Sequence, residues 1–506
     1  MFSSVLNPLR DAMLRQPEDI ALIASEGQYT FAQLGERIQA LRNAIRRHQP
    51  GCVMIYGHKQ LDAAAAMIAC AFEAVVFTFV DTANPAPRIA NIATMTGAQL
   101  ALLAGEPPLP LPINPMPILR CQDCRTDEAL QPVVPSHHDA VFYILSTSGS
   151  TGEPKGVKIS YGNFGALADW AIPLVHRHYP GAHVNHACLS FDMGVMDIFL
   201  ALAVGKTVIM LNHRDNIRPL ANLHILTPPT RRVSTWFSTP GFLEIMCMAT
   251  QFQQAQLPDL RFIGIGGEML SPSLVKTLHA RFPQAQILNG YGPTEATCMT
   301  HAAILTPESL PDTPPLTVGL PGVGNGMAIV DKQRCPLPAL AVGEIVLFGS
   351  QISPGYLPEN DPRNQLFGLW RGQRCYYTGD MGYLNADGEL FIKGRDDGQF
   401  KWQGNRIETG EVETTAQRID GVQQAALVSK KTHGKVTALV LFVHLAIDDA
   451  SHREAFRREL ARRLPAYMVP RSVYFTHVFP LNLHGKTDRQ ALMQQFANGD
   501  ENCNQE

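Results

Sequence analysis

The sequence predicts an α/β protein: a large N-terminal domain of mixed and parallel sheets over residues 1–396, then a small α+β domain over 397–506. Three observations predict it. Apolar, β-branched runs alternate with helical patterns through about the first 330 residues, the signature of layered, largely parallel sheets. After Asp380 the texture changes to strand–turn–strand, helix and two further strands. The 506 residues exceed what one hydrophobic core normally organises.

In order, "MFSSVLNPLRDAMLRQPEDI" alternates charged and apolar residues at helical spacing and lacks the unbroken apolar core of a signal peptide. "LDAAAAMIACAFEAVVFTFVD" is the longest apolar run; Glu73 breaks it and Asp81 ends it, so it reads as a buried helix followed by a strand rather than a membrane span. "CVMIYG", "AVFYILSTSG", "KTVIML", "LRFIGIGG" and "AQILNGYG" read as strands, and Ser271 to Phe282 as a helix. "AGEPPLPLPINPMP" and "TPESLPDTPPL" are connectors. Asp387-Gly388 marks a hairpin turn. A helix is expected over Glu408 to Ile419, strands at "AALVSK" and "VTALVLFVHL", and an arginine-faced helix in "SHREAFRRELARRLPAYMVP".

Composition excludes several classes. Hydrophobic residues make up 45% and charged residues 17%, a globular balance. The net charge of −3 gives no global attraction to nucleic acid or to anionic membrane. Ten cysteines are scattered, and the single CxxC, Cys121 and Cys124, has no second pair to complete a zinc site. The scatter fits a reducing cytoplasm.

The segment "LSTSGSTGEPKGVKI" from Leu145 concentrates chemistry. Glycine lets backbone N–H groups approach phosphate oxygens, Ser and Thr hydroxyls add donors, and Lys155 adds a mobile cation. Neither a Walker A loop nor a GxGxxG dinucleotide turn is present. By itself such a loop is also compatible with a flexible linker.

Its company is more specific. "TSGSTGEPKG", "NGYGPTEAT" (Asn289 to Thr297), "YTGD" (Tyr377 to Asp380), "GRDDGQFKWQGNRIETGEVE" (Gly394 to Glu413) and "NLHGKTDRQAL" (Asn482 to Leu492) occur in the order found in the adenylate-forming superfamily. "YTFAQLGERI" and "DTANPAPRIANI" fit its weaker early motifs, so the resemblance spans almost the whole chain. "SFDMGVMDIF" (Ser190 to Phe199) resembles the amino-acid-binding motif of adenylation domains, and with "YGHKQLD" it looks most like the stand-alone ligases that load D-alanine onto a carrier protein.

The resemblance implies two half-reactions: a carboxylate attacks the α-phosphate of ATP, then a phosphopantetheine thiol takes the acyl group and releases AMP. It implies ATP, Mg²⁺ and a discrete carrier protein as partner. A cytoplasmic, free-standing monomer or weak dimer is expected, with no carrier segment after Lys486, no nucleic acid and no membrane insertion. Lys486 resembles the catalytic lysine, Glu295 the magnesium ligand and Thr294 a phosphate contact. Thr147, Ser148, Gly149, Ser150, Thr151, Gly152 and Lys155 resemble the phosphate loop. Tyr291 resembles the adenine-stacking ring, set among Asn289, Gly290 and Gly292. Gly267 and Glu268 match the backbone facing the adenine edge, Asp380 the ribose acid, Arg395 a ribose or phosphate contact, and Asp397 the hinge about which the small domain rotates.

Asp192 is implied to accept a substrate α-ammonium; the alternative is a helix N-cap. Asp197, on the same helix, is expected to pair structurally. The remaining pocket positions would be Met193, Met196, Gly241, Gly264, Gly266, Gly290, Cys298 and Met299. None is charged, so the bound side chain should be uncharged. The D-alanine ligases carry larger residues at some positions where this chain has Gly264, Gly266 and Gly290, which leaves room for an apolar side chain larger than alanine's unless methionines fill it. D-alanine stays open. An acyl- or aryl-CoA ligase, with Asp192 structural, is the alternative enzyme; a non-catalytic nucleotide-binding scaffold is a third reading, opposed by Lys486, Glu295 and Asp380 together.

Overall fold

The computed structural model describes residues 5–106, 111, 113, 115–147, 154–176, 178–212, 217–395, 399–402, 405–432, 435–480 and 487–499. Its contacts divide the chain into two compact units. One comprises Met1–Thr82, Ile92–Ser146 and Gly156–Asp396; the other comprises Ala83–Asn91, Thr147–Lys155 and Asp397–Glu506.

The large unit is built on three sheets. A nine-stranded sheet runs, edge to edge, through Leu320–Pro321, His301–Leu305, Gln286–Tyr291, Phe262–Ile265, Val233–Ser238, Ala182–Asn185, Val208–Met210, Ile20–Ala24 and Gly27–Thr30. Its six inner strands, Gln286–Tyr291 through Ile20–Ala24, are parallel and its outer ones antiparallel. The inner strands are buried on both faces, which is why they read as continuous apolar runs. A seven-stranded sheet orders Gly355–Leu357, Lys155–Ser160, Val141–Thr147, Val76–Asp81, Cys52–Gly57, Leu100–Leu103 and Ile118–Arg120. A third, antiparallel sheet joins Asn325–Val330, Gly343–Gly349, Gln373–Leu384 and Phe367–Trp370, with Leu390–Arg395 paired to Gln373–Leu384.

The apolar run after Gln60 becomes the helix Leu61–Phe72, of which only Asp62 is not buried, packed on the strands Cys52–Gly57 and Val76–Asp81. A helix apolar all round belongs in a core, and among the described residues no helix is long and apolar enough to cross a membrane. Phe31–His48 starts at a capping box: the Thr30 hydroxyl accepts from the Gln33 N–H, and the Gln33 side chain accepts from the Thr30 N–H. The helix foreseen from Ser271 runs over Pro272–Arg281, with Ser271 capping the Leu274 N–H.

The second unit pairs Gln399–Trp402 with Asn405–Glu408 and Val422–Thr432 with Lys435–Leu445, to which Ser472–Phe475 adds in parallel. The helices Thr409–Gln417 and Ala450–Arg463 close its core, on which Trp402 packs.

Beneath the nine-stranded sheet of the large unit lies a chain of buried polar groups. The Lys59 ammonium donates to Asn185 Oδ1 at 2.7 Å and to the His186 carbonyl at 2.7 Å. Asn185 Nδ2 donates to Asp197 at 2.9 Å. His183 Nε2 lies 3.0 Å from the other Asp197 oxygen, at ion-pair distance but not aligned as a hydrogen bond. Asp197 is therefore structural, as expected. On the far side of His183, Lys206 donates to Thr235 at 3.3 Å and Ser234 at 3.4 Å.

Burial pulls the Lys206 ammonium down to about 7 and, with smaller opposing effects of Cys188, Asp197 and Asp81, Lys59 to about 8. Above pH 7 the unfolded chain still protonates Lys206, whose ordinary value is 10.5, while the folded protein releases the proton. The unfolded state then binds more protons, so this group's contribution to stability rises with pH. Lys206→Met should accordingly stabilise the protein most at pH 7 and progressively less toward pH 9, measured as the difference in denaturant midpoint from wild type. A difference independent of pH would refute the shift.

Candidate active site

The candidate site gathers in the large unit at the carboxyl ends of the parallel strands, where loops leave the sheet and open α/β sheets hold their ligands. The strand Gln286–Tyr291 delivers Tyr291; a tight turn and a single 3₁₀ turn, Thr294–Ala296, carry Thr294 and Glu295. The helix Asp192–Ala203 starts with Asp192 and packs on Ala182–Asn185 and Val208–Met210. The hairpin Gln373–Leu384/Leu390–Arg395 sets Asp380 opposite Arg395.

Asp380 accepts from the Tyr291 hydroxyl at 2.6 Å and from the Arg395 guanidinium at 2.9 Å. Its backbone N–H donates to the Thr378 hydroxyl, and Gly379 N–H to Glu344. The carboxylate is thus held from both sides. Burial, and then the Asp380 charge, hold the Tyr291 phenol well above its ordinary value, so it stays a donor. The neighbouring His301 is pushed by burial down to about 3 and remains neutral.

Asp192 is half-buried and is not the N-cap; Phe191 takes that position. Asp192 Oδ1 accepts from the Met193 N–H at 2.8 Å and Oδ2 from the Thr294 hydroxyl at 2.7 Å. That bond ties the expected substrate-binding acid to the expected phosphate-contacting threonine. Glu295 is fully buried, with Oε1 accepting from the Tyr356 hydroxyl at 2.6 Å; Tyr356 in turn lies 3.0 Å from the Tyr376 hydroxyl. Asn289 donates to the Thr317 carbonyl at 2.8 Å.

Two glycines are obligatory for backbone reasons. Gly267 has φ +91°, a conformation side chains resist, directly before Glu268. At Gly292 a Cβ would stand 2.5 Å from the Cys298 carbonyl oxygen, so only glycine lets the two chain segments cross. A Cβ on Gly241 would lie 3.3 Å from a Glu268 carboxylate oxygen.

Neighbouring side chains stand over the glycines at 264, 266 and 290. A Cβ on Gly264 would lie 2.3 Å from the Phe237 ring, one on Gly266 3.3 Å from the same ring, and one on Gly290 2.8 Å from Met299 Sδ. Met196 and Cys298 touch through their sulfurs at 3.8 Å.

Lys155 departs from the mobile cation expected of it: it is buried, with Nζ 3.4 Å from Glu408 Oε1, both within the second unit. Thr147, at the end of its strand, has a buried hydroxyl with no hydrogen-bond partner among the described residues. Ser148, Gly149, Ser150, Thr151, Gly152, Asp397 and Lys486 lie outside the described residues.

Three residues escaped sequence reasoning. Phe237 and Tyr356 reach the site from strands whose register no local pattern encodes. Tyr143 is fully buried, its hydroxyl has no hydrogen-bond partner among the described residues, and burial, then the charges of Asp192 and Cys298, raise its phenol well above the ordinary value. A buried, unsatisfied hydroxyl is rare enough to single out, but its sequence context, "AVFYIL", is that of any core strand.

Residues 9–357 match the AMP-binding enzyme family and 411–486 the AMP-binding enzyme C-terminal domain. The chain is 31% identical over 501 residues to a D-alanine–D-alanyl carrier protein ligase of Bacillus anthracis, covering 97% of this chain and 99% of that one. It is 32% identical over 456 residues to the protein of that name from Listeria welshimeri, covering 88% of each. Among solved structures it superposes on the Vibrio cholerae adenylation domain AlmE in complex with glycyl-adenosine-5'-phosphate, with a TM-score of 0.83, 22% identity and 97% of each chain covered. An NRPS protein containing adenylation and PCP domains gives a TM-score of 0.82 at 23% identity, covering 97% of this chain and 84% of that one. These likenesses bear out the expected α/β architecture, and the chain belongs to the AMP-binding enzyme family: it is an ATP-dependent, AMP-forming ligase.

Proposed function

We propose that this ligase activates a small, uncharged amino acid as its aminoacyl-adenylate and transfers it to the phosphopantetheine thiol of a discrete carrier protein. The observation that carries the reading is Asp192: a half-buried carboxylate opening a buried helix, held by the Thr294 hydroxyl and the Met193 N–H among apolar neighbours. A simple acid has no cation to offer such a group, whereas an α-ammonium makes a charge-assisted bond with it. Tyr143 adds a buried hydroxyl near the same carboxylate. The full-length relatives named for D-alanine and a carrier protein support both halves of the reaction. The filled glycine positions favour a side chain of methyl size or none over a larger one.

In this reading Asp380, Arg395 and Tyr291 hold the nucleoside, Gly267 and Glu268 line the base, and the segment from Thr147 to Gly152 takes the phosphates. Lys486 neutralises the meeting of carboxylate and phosphate. Asp397 is the hinge between residues 1–396 and 397–506, whose rotation exchanges Lys486 for the segment near Lys401 and Gly404. Lys155 would have to leave Glu408 to contact a phosphate.

The donor at Glu295 suits Mg²⁺: a carboxylate is a hard oxygen ligand, and Tyr356 fixes its orientation. Bound there, the ion would offset charge on the ATP phosphates. The test is pyrophosphate release across the amino acids and simple acids, with a phosphopantetheinylated carrier protein or coenzyme A as acceptor. Release with alanine or glycine and acyl transfer to the carrier support the reading. Transfer of a simple acid to coenzyme A would replace it with an acyl-CoA ligase.

A further inference from the structure

Gly264 lies in the strand Phe262–Ile265 and Gly266 directly follows it, its N–H still donating to the Ser238 carbonyl of the neighbouring strand, so the two face the same side of the sheet. Gly264 is in register with Phe237 on one neighbouring strand and with Leu288 on the other. A Cβ at 264 would fall 2.3 Å from Cδ2 of Phe237, and one at 266 would fall 3.3 Å from Cε1. One ring therefore lies across both glycines. On the next strand the arrangement repeats: the Cβ space of Gly290 is taken by Met299 Sδ at 2.8 Å. In each case the missing side chain on one segment is replaced by a large one reaching over from another.

This patch adjoins the proposed ammonium acceptor. The Met193 methyl lies 3.7 Å from where a Gly267 Cβ would be, and Met193 follows Asp192. Phe237 and Met299 belong to the same buried apolar cluster as Met196, with Met193 and Cys298 packed against it. An aromatic ring over a glycine can serve packing alone, since a bare glycine in a sheet leaves a void. Here, however, the two replacements meet at neighbouring positions: a Cβ on Gly266, under the ring, would also lie 3.2 Å from the carbonyl oxygen of Gly290, which Met299 covers.

We propose that Phe237, with Met299, sets the upper size of the side chain the enzyme accepts, so that the glycines which would otherwise enlarge the pocket instead seat its floor. The proposal rests on the amino-acid reading above and goes beyond it by naming the residue that enforces small size. Discrimination by one methylene in an apolar pocket amounts to roughly 10- to 200-fold, so removing most of a ring should register on that scale.

The experiment compares kcat/KM in pyrophosphate exchange for glycine, alanine, valine and leucine. The proteins are wild type, Phe237→Val, Met299→Ala and the double variant Phe237→Val/Gly264→Ala, with thermal unfolding of each. Wild type should favour glycine or alanine. Phe237→Val should raise the leucine-to-alanine ratio at least about tenfold. Gly264→Ala, which collides with the ring in wild type, should be tolerated in the Phe237→Val background and move the ratio back toward wild type. A purely structural ring predicts no such reversal.

An unchanged ratio in a folded Phe237→Val protein, or a wild type that already prefers leucine, overturns the proposal. Should Phe237→Val fail to fold, Phe237→Leu and Met299→Ala carry the same test, and unchanged ratios in both overturn it equally. Wild type active on alanine with unchanged ratios in the variants rejects only this inference. Wild type inactive on every amino acid but active on simple acids rejects the amino-acid reading together with it.

Discussion

Lys486→Ala should lose adenylation by at least about 10²-fold, the scale of removing a positioned donor from a transition state, while thioester formation from supplied aminoacyl-adenylate is largely spared. The first half-reaction brings a substrate carboxylate against an anionic phosphate, so positive charge must be present where the two meet. The second has no such encounter, because the acyl carbon is already activated and the attacking group is a thiol. If the C-terminal segment turns between the two steps, Lys486 serves only one of them. Pyrophosphate exchange reads the first step, and single-turnover acyl transfer from purified adenylate reads the second. Equal loss in both would make Lys486 a structural residue or end the two-state scheme.

Asp192→Ala should weaken amino-acid activation by about 2–5 kcal/mol, the cost of stripping one partner from a buried charge pair. That is roughly 30-fold to several thousandfold in kcat/KM. The variant also frees the Thr294 hydroxyl and the Met193 N–H that Asp192 now accepts from. Part of any loss could therefore come from disturbing Thr294 rather than from the ammonium. The des-amino substrate separates the two contributions. It should be activated no worse by Asp192→Ala than by wild type if the ammonium dominates, and it should fall in parallel if Thr294 does.

Much of the scaffold was legible because it is local. The run Leu61–Phe72 declares a buried helix by being apolar on every face, and Val76–Asp81 a strand by its β-branched and aromatic residues. The helix after Ser271 was read from its apolar spacing, and the Ser271 cap on the Leu274 N–H emerged only in the structure. The site was legible where short loops carry it: Tyr291, Thr294 and Glu295 come within five residues, and Asp380 pairs with Arg395 across one hairpin. What stayed hidden depends on contacts between distant segments. Nothing around Phe237 says that its cross-strand partner is a glycine, so Gly264 and Gly266 read as empty space when they are covered. Lys155 reads as a free cation in its loop, yet Glu408, more than two hundred residues later, holds it. Tyr356, the partner of Glu295, lies sixty-one residues away.

The most direct measurement is pyrophosphate exchange by the wild-type enzyme with matched pairs: alanine against propionate, and glycine against acetate. A site built around Asp192 predicts exchange with at least one of the amino acids, in one enantiomer where there are two, and near-background exchange with its des-amino partner. Faster exchange with propionate or acetate than with alanine or glycine would contradict the amino-acid assignment.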